Sequence, residues 1–389
     1  MLMSKKLKIF IDAEVLVATH FSGIGHYTLE MLRALDKQID SRPDVEIVLG
    51  VYFRRINIAK QYGFRNFKFR RSPFPLRISN VLKIKNLQPF YDLFFGKYVY
   101  FFPNYTTWPL LFSKSVSVVY DLSFEYHPEY VEPGNQRFLS NSVKLTTKRS
   151  NRIVTISKNS QKEITSFYGI KSEKVPIIYP GVDQSTFFQW PVEEVSRIKA
   201  RYGIHGKYIL YVGNIEPRKN LKNLLLAYEG LSQKTRNEYS LVLIGARGWL
   251  DGEIFEIIER LRMAGNIIQQ PTSYVKDKDR AALYSGASLF VYPSKYEGFG
   301  IPPIEAMACG VPTITSNNSS LPEAAGDAAI YVDADSVKML QKEMYKVLNY
   351  NNQSLNAMAR KGFVQVDKFS WQHEARKLLE VFEEVKNGK

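Results

Sequence analysis

Short apolar runs, each followed by a segment that suits a helix, recur along the whole chain, and this alternation restricts its fold more than any other feature. In the first half the runs occupy residues 7–12, 45–52, 98–102, 115–120 and 152–156. In the second they occupy 208–212, 240–244, 287–292 and 312–315. Most lack a polar alternate face, as strands buried on both sides do. Between them, helical patterns fit a segment carrying Leu29, Leu32 and Leu35 after a Gly23-Ile24-Gly25 loop, then 133–150, 158–167, 221–229, 252–263 and 278–285. Strands alternating with helices predict parallel sheets covered by helices on both faces. The turn cluster Tyr179-Pro180-Gly181-Val182-Asp183 suits a linker between two such units. The expected division is 1–185, 186–370 and a last helix, 371–389, that crosses back to the first domain. Strand carboxyl ends of both units are then expected to face a shared cleft.

Length agrees, since 389 residues exceed the usual size of one core. With 45% hydrophobic and 23% charged residues the chain reads as globular. A single cysteine, Cys309, builds neither an internal disulfide nor a Cys-rich metal site. Together with the missing signal-peptide pattern, it predicts a reducing, cytoplasmic setting. No apolar run reaches the roughly 18 to 20 residues that span a bilayer.

The net charge of +15 is uneven. Residues 1–185 hold 27 lysines and arginines against 15 acids, and residues 186–389 hold 26 against 23. The stretch 53–97 alone has eleven basic residues and one acid, Asp92, interleaved with aromatics such as Phe64, Phe67, Phe69 and Phe74. Two readings compete: a solvated basic face, or a surface for an anionic membrane or phosphate-bearing lipid. Nucleic acid is not expected, because no helix-turn-helix, zinc-finger or RNP-like signature accompanies the charge.

The densest chemical signal is Pro293-Ser294-Lys295-Tyr296-Glu297-Gly298-Phe299-Gly300-Ile301-Pro302-Pro303-Ile304-Glu305, between a strand and a helix. Gly298 and Gly300 let backbone approach a ligand, and prolines suit a first helical turn. Free amides there favour a diphosphate. Glu305, expected in that first turn, suits a ribose diol, and Glu297 is expected at the cleft mouth. The second signal is Val212-Gly213-Asn214-Ile215-Glu216-Pro217-Arg218-Lys219-Asn220. Two cations at a helix start oppose its dipole at up to about 1 kcal/mol each, which an anion between them offsets. Arg218 can fork two phosphate oxygens while Lys219 supplies a point charge.

These segments, with Ser319-Ser320-Leu321-Pro322-Glu323, resemble the retaining glycosyltransferases of family four, many of them bacterial mannosyltransferases. The resemblance implies a GT-B fold of two Rossmann-like domains. It implies that Glu297 contacts the transferred sugar, Glu305 the ribose, and Arg218 and Lys219 the diphosphate. Gly298, Phe299, Gly300, Ile301, Gly213 and Asn214 would line the donor site, with Tyr274 and Val275 framing the base. Gly23, Gly25, His26, Tyr120 and Asp121 would lie on the acceptor or cleft side. Two positions depart from the family pattern: His26 stands where an arginine is usual, and Tyr120 where a histidine precedes the aspartate. A tyrosine donates a hydrogen bond but does not carry protons near neutrality.

His127, His205 and His373 are scattered without ligand spacing, so no metal and no cofactor are expected. The expected activity is metal-independent, retaining transfer of a sugar, mannose from GDP-mannose as first choice, to a glycan or lipid-linked saccharide. The expected setting is surface polysaccharide (O-antigen) synthesis, with the protein peripheral on the inner face of the plasma membrane. GDP-linked 6-deoxyhexoses, UDP-sugars and a non-catalytic basic membrane- or RNA-binding protein stay open.

Overall fold

A computed structural model describes residues 6–17, 23–52, 55–72, 74, 76–248, 252–271 and 275–388. It divides into two units, Met1–Pro180 with Trp371–Lys389, and Gly181–Ser370.

The first unit holds strands β1 (Leu7–Asp12), β2 (Val45–Tyr52), β3 (Lys68–Ser72), β4 (Val99–Phe102), β5 (Lys114–Val118) and β6 (Arg152–Val154) in the order β3-β2-β1-β4-β5-β6. The second holds β7 (Lys207–Val212), β8 (Tyr239–Ile244), β9 (Ile268–Gln269), β10 (Leu289–Tyr292), β11 (Thr313–Ser316) and β12 (Ala329–Val332) in the order β12-β11-β10-β7-β8-β9. Every described pairing is parallel. In each unit the strand order turns back between the first strand and the fourth, β1 beside β4 and β7 beside β10. Loops leaving those two carboxyl ends diverge to opposite faces, so a ligand crevice opens between them.

Three strands escaped the sequence reading. The edge strand β3 reads Lys-Phe-Arg-Arg-Ser and lies inside the basic stretch, while β9 and β12 are two and four residues long. An edge strand needs no continuous apolar run, because one side and much of one face meet water. The aromatics of that stretch divide as well. Phe67 is buried and Phe74 stacks on Trp108 at 5.4 Å, so both pack inward. Gly23-Ile24-Gly25 is not a loop but the start of the helix Gly23–Ile39.

In the first unit, Phe10, Tyr91, Tyr100, Phe102 and Trp108 form one aromatic cluster, with Tyr91 and Trp108 stacked at 4.8 Å. The last helix, Trp371–Asn387, packs on Gly23–Ile39 as expected. Trp371 meets Tyr27 edge-on at 5.4 Å, Phe382 meets Phe101 at 5.3 Å, and Glu383 pairs with Arg42 at 2.7 Å. Packing therefore fastens this helix, with the exposed ion pair a minor term. Phe382→Leu should cost about 1 to 1.5 kcal/mol of the first unit's stability in urea unfolding. An unchanged midpoint would mean that the helix end is not part of that unit's cooperative core.

Candidate functional site

The second unit brings the two motifs together at the switch point. The loop leaving β7 makes one tight turn, Pro217–Lys219, and then Asn220, at φ 58°, caps the helix Leu221–Glu229. Asparagine tolerates this left-handed backbone better than most residues. Its side-chain amide donates to the carbonyls of Pro293 (2.9 Å) and Ala334 (2.7 Å), lashing the β7 loop to the β10 loop. The Arg218 carbonyl accepts from Lys295 N–H at 2.8 Å.

This lashing places Arg218 and Lys219 on Glu297. Lys219 Nζ lies 2.7 Å from Glu297 Oε1 and 3.0 Å from Oε2, and Arg218 reaches Oε2 at 3.1 Å. Arg218 also pairs with Glu216 at 3.0 Å and donates to the Tyr296 carbonyl at 2.8 Å. Tyr292 donates to Glu297 Oε1 at 2.8 Å and accepts from Lys219 at 2.7 Å, while Ser294 donates to the same oxygen at 2.6 Å. Burial alone would push the Glu297 carboxyl up, but Lys219 and Arg218 outweigh it and hold the carboxyl down at about 2. Lys219 is itself pushed below the usual lysine range, first by burial and then by Arg218. Arg218 and Lys219 thus share the Glu297 carboxylate, and Arg218 has Glu216 as a second buried anion.

Three expectations change here. Glu297 is 6% exposed and accepts from four side chains, so it is no open residue at a cleft mouth. The anion that offsets Arg218 and Lys219 in this structure is Glu297 with Glu216. Glu305 lies in the second turn of its helix, Ile301–Ala308, because Gly300 is the N-cap. Gly300 sits at φ 116°, where a Cβ would also meet Leu321 at 2.8 Å, so glycine is required there. Pro302 and Pro303 carry no N–H, which leaves Gly300 and Ile301 as the amide donors at this helix start.

Glu305 is buried and held at both oxygens: Arg280 donates to Oε1 and Tyr284 to Oε2, each at 3.0 Å. Burial raises its carboxyl above the usual range against the pull of Arg280. Each oxygen keeps a second acceptor position, as a vicinal diol requires. Val275, just ahead of the helix Asp277–Ser285, is buried. Tyr274 lies outside the described residues. Phe299 packs edge-on against Phe369 at 5.1 Å and is core rather than lining, whereas Asn214 is exposed and Gly213 partly so. Gly298 is buried beside Glu297, whose N–H donates to Ser319 Oγ at 3.0 Å. The Ser320 hydroxyl lies 2.7 Å from the Glu297 carbonyl and 2.8 Å from that of Phe299.

The sequence reading passed over Tyr292, Ser294, Arg280 and Tyr284. Their only signal was position, at the end of β10 or one helical turn apart on Asp277–Ser285. The expectation of no metal also took the chain to lack an Asp-x-Asp segment, but it holds two, Asp277-Lys278-Asp279 and Asp333-Ala334-Asp335. Asp277 and Asp279 are engaged by Arg280, Arg201 and Tyr202, and Asp335 pairs with Lys295 at 2.8 Å.

In the first unit the expected residues do not gather as a set of free polar groups. Tyr120 is buried, donates to the Pro103 carbonyl at 3.0 Å and packs edge-on against Tyr27 and Tyr105. Burial drives its phenol far above the ordinary range, so it serves packing rather than proton transfer or an open sugar contact. Asp121 accepts from Ser123 N–H at 3.0 Å, closing a turn. Gly23 is exposed, Gly25 buried and His26 half-buried, all on the first turn of Gly23–Ile39.

Comparison with known proteins bears on the same segments. The model described as glycosyl transferases group 1 matches residues 195–384, and that described as Glycosyltransferase Family 4 matches 21–186. O-antigen chain mannosyltransferase B of Escherichia coli is 31% identical over 363 residues, 90% of this chain and 93% of that protein. A serotype-specific mannosyltransferase of Escherichia coli, WbdA, is 32% identical over 69% of this chain, which spans only 33% of that longer protein. Among solved structures, WaaG, a glycosyltransferase involved in lipopolysaccharide biosynthesis, superposes with a TM-score of 0.68 at 16% identity, covering 97% of this chain and 99% of WaaG. Anabaena HepE in complex with UDP and glucose gives 0.71 at 14%, covering 98% and 100%. At such identities the likeness shows the fold, the two-sheet GT-B arrangement.

Proposed function

The chain belongs to the group 1 and family 4 glycosyltransferases, and on that premise we propose that it moves mannose from GDP-mannose onto a saccharide or lipid-linked saccharide, with retention of configuration, in surface polysaccharide synthesis. The observation that carries this reading is the cluster of half-buried Arg218 and Lys219 on buried Glu297 where β7 and β10 end. In the proposed step the bond from the sugar's anomeric carbon to the diphosphate oxygen breaks, and a bond to the acceptor oxygen forms on the same face. The acceptor's proton passes to the departing phosphate. Arg218 and Lys219, with the Gly300 and Ile301 amides, neutralise the charge that develops on the leaving group. Glu297 holds the two cations in place and, as the diphosphate takes over part of their charge, accepts from a sugar hydroxyl. It is not a covalent nucleophile, since the two-carboxylate scheme of glycosidases needs a second acid across the bond. Glu305 takes the ribose diol beside Arg280, and the first unit takes the acceptor. That relatives of this chain are mannosyltransferases supports mannose.

A cytoplasmic location, peripheral on an anionic membrane, completes the proposal. It is supported by the basic surplus of residues 1–185, and no helix among the described residues is long and apolar enough to cross a membrane.

A screen of nucleotide sugars for donor hydrolysis tests the donor, with GDP-mannose expected to turn over fastest. Preference for a UDP-sugar would overturn that assignment. Activity should survive dialysis against EDTA, because Arg218 and Lys219 take the role a metal would play at the diphosphate. Revival of a chelated, inactive enzyme by Mg²⁺ or Mn²⁺ would show that account to be wrong.

A further inference from the structure

The two oxygens of the Glu297 carboxylate are held differently. Oε1 accepts from two neutral hydroxyls, Tyr292 at 2.8 Å and Ser294 at 2.6 Å, beside Lys219 at 2.7 Å. Oε2 accepts from the cations, Lys219 at 3.0 Å and Arg218 at 3.1 Å. A carboxylate oxygen offers about two lone-pair positions, so Oε1 has no room for a further donor. Each described bond to Oε2, by contrast, comes from a group for which a diphosphate competes.

The hydroxyls on Oε1 are fixed from behind. Tyr292 is the last residue of β10 and fully buried, and its ring stacks on that of Tyr211, on the neighbouring β7, at 6.2 Å. Tyr211 is held in turn by donating to the Asn214 carbonyl at 3.0 Å. A Cβ at Gly213 would stand 3.0 Å from the Tyr211 hydroxyl and 3.6 Å from the Tyr292 ring, so glycine there leaves the pair its room. Lys219 donates to the Tyr292 oxygen at 2.7 Å, which directs the single phenol proton to Glu297. Burial and then the Glu297 charge drive this phenol far above its ordinary range, so it stays a donor. Ser294, also fully buried, has the carbonyls of Arg218 and Tyr296 within reach at 3.1 and 3.2 Å, yet its shortest contact is Glu297.

We propose that Tyr292 is a positioning residue of the transfer step: with Ser294 it anchors Glu297 through Oε1, so that Oε2 is the oxygen that meets one hydroxyl of the transferred sugar when the diphosphate draws on Arg218 and Lys219. The inference rests on the reading that Glu297 faces the sugar, and adds which oxygen works and what holds it. Without the two hydroxyls the carboxylate would follow its cations toward the phosphates or rotate about its last bond. Neutral donors suit the task, because an incoming anion competes for lysine and arginine more strongly than for a buried hydroxyl.

Steady-state kinetics with GDP-mannose and its 3-, 4- and 6-deoxy analogues tests it. If the donor screen selects another nucleotide sugar, that sugar and its deoxy analogues take their place. Wild type should lose roughly 10- to 100-fold in kcat/KM on one analogue, the scale of a hydrogen bond to a charged group. Tyr292→Phe, which keeps the ring, should turn over the parent donor roughly 10- to 100-fold more slowly, because a small misplacement at the reacting centre has that effect. It should bind GDP within about threefold of wild type and lose no more than about threefold on the same analogue. Ser294→Ala should show the same pattern, and it carries the test if the tyrosine variant does not fold. Equal slowing on every donor, with the deoxy penalty unchanged, would make both residues merely structural and overturn the proposal. Wild-type turnover in both variants would do the same. A loss of about tenfold in GDP affinity in Tyr292→Phe would place its role on Lys219 and the diphosphate instead, and so overturn it too. In each of these outcomes the contact between Glu297 and the sugar stands. If wild type itself shows no penalty on any analogue, that contact fails and this inference with it.

Discussion

Glu297→Gln is expected to lower kcat by roughly 10²- to 10³-fold, the scale seen when a charge-stabilising group at a reacting centre is lost. Nucleotide affinity should stay within about threefold, because the ribose and base contacts lie elsewhere. The amide keeps the shape of the carboxylate but leaves Lys219 and Arg218 without their shared anion. Glu297→Ala goes further, since breaking a buried pair by removing one partner costs on the order of 3 to 5 kcal/mol. The pH dependence follows from the same contacts. The folded carboxyl titrates at about 2 against an ordinary 4.5, so the folded state binds this proton more weakly than the unfolded chain does. The stabilisation is therefore complete above the unfolded value and is lost as pH falls from there toward 2, and a gap of that size is roughly 3 kcal/mol. Wild type and Glu297→Gln should differ most in urea unfolding at neutral pH and converge as acid is added. A variant that turns over donor at the wild-type rate would remove Glu297 from the mechanism. A stability gap independent of pH would remove it from the ion cluster.

Glu305→Gln is expected to weaken GDP binding by about 1.5 to 3 kcal/mol, or roughly 10- to 150-fold, with a smaller change in kcat at saturating donor. The carboxylate has two oxygens fixed by Arg280 and Tyr284, so it meets the ribose hydroxyls already oriented and pays little ordering entropy. Tyr284→Phe should show a weaker form of the same effect, because one of the two orienting bonds is gone. Fluorescence titration reads both. Equal GDP affinity in wild type and Glu305→Gln would sink the ribose assignment. A loss in Glu305→Gln matched by Tyr284→Phe would move the weight from the contact to its orientation.

Much of the second unit was legible before any coordinates, for local reasons. Its strands are runs of residues buried on both faces, and Gly300, Gly310 and the prolines punctuate the helix between them. The partners of Glu297 were not legible in the same way. Arg218 and Lys219 stand close to eighty residues upstream, and they looked like cations awaiting a ligand because the sequence does not show which carboxylate is near. Tyr292 and Ser294 read as the tail of a strand. In the first unit, Tyr120 suggested an open hydroxyl at the end of an apolar run, and the structure spends that hydroxyl on Pro103.

By itself the sequence determined the alternation of strands and helices, the places where glycine and proline end them, and the imbalance of charge, since each follows from near neighbours along the chain. Only the tertiary structure decided that β7 lies beside β10, and this adjacency turns two loops into one ion cluster. It also decided that the helix Leu76–Ile84 meets the aromatic core through Leu82 and stays bare at Ile78, Val81 and Ile84. The reason is the same in both cases. Strand pairing and helix facing are set by burial among residues far apart in the chain, and burial is a property of the packed whole.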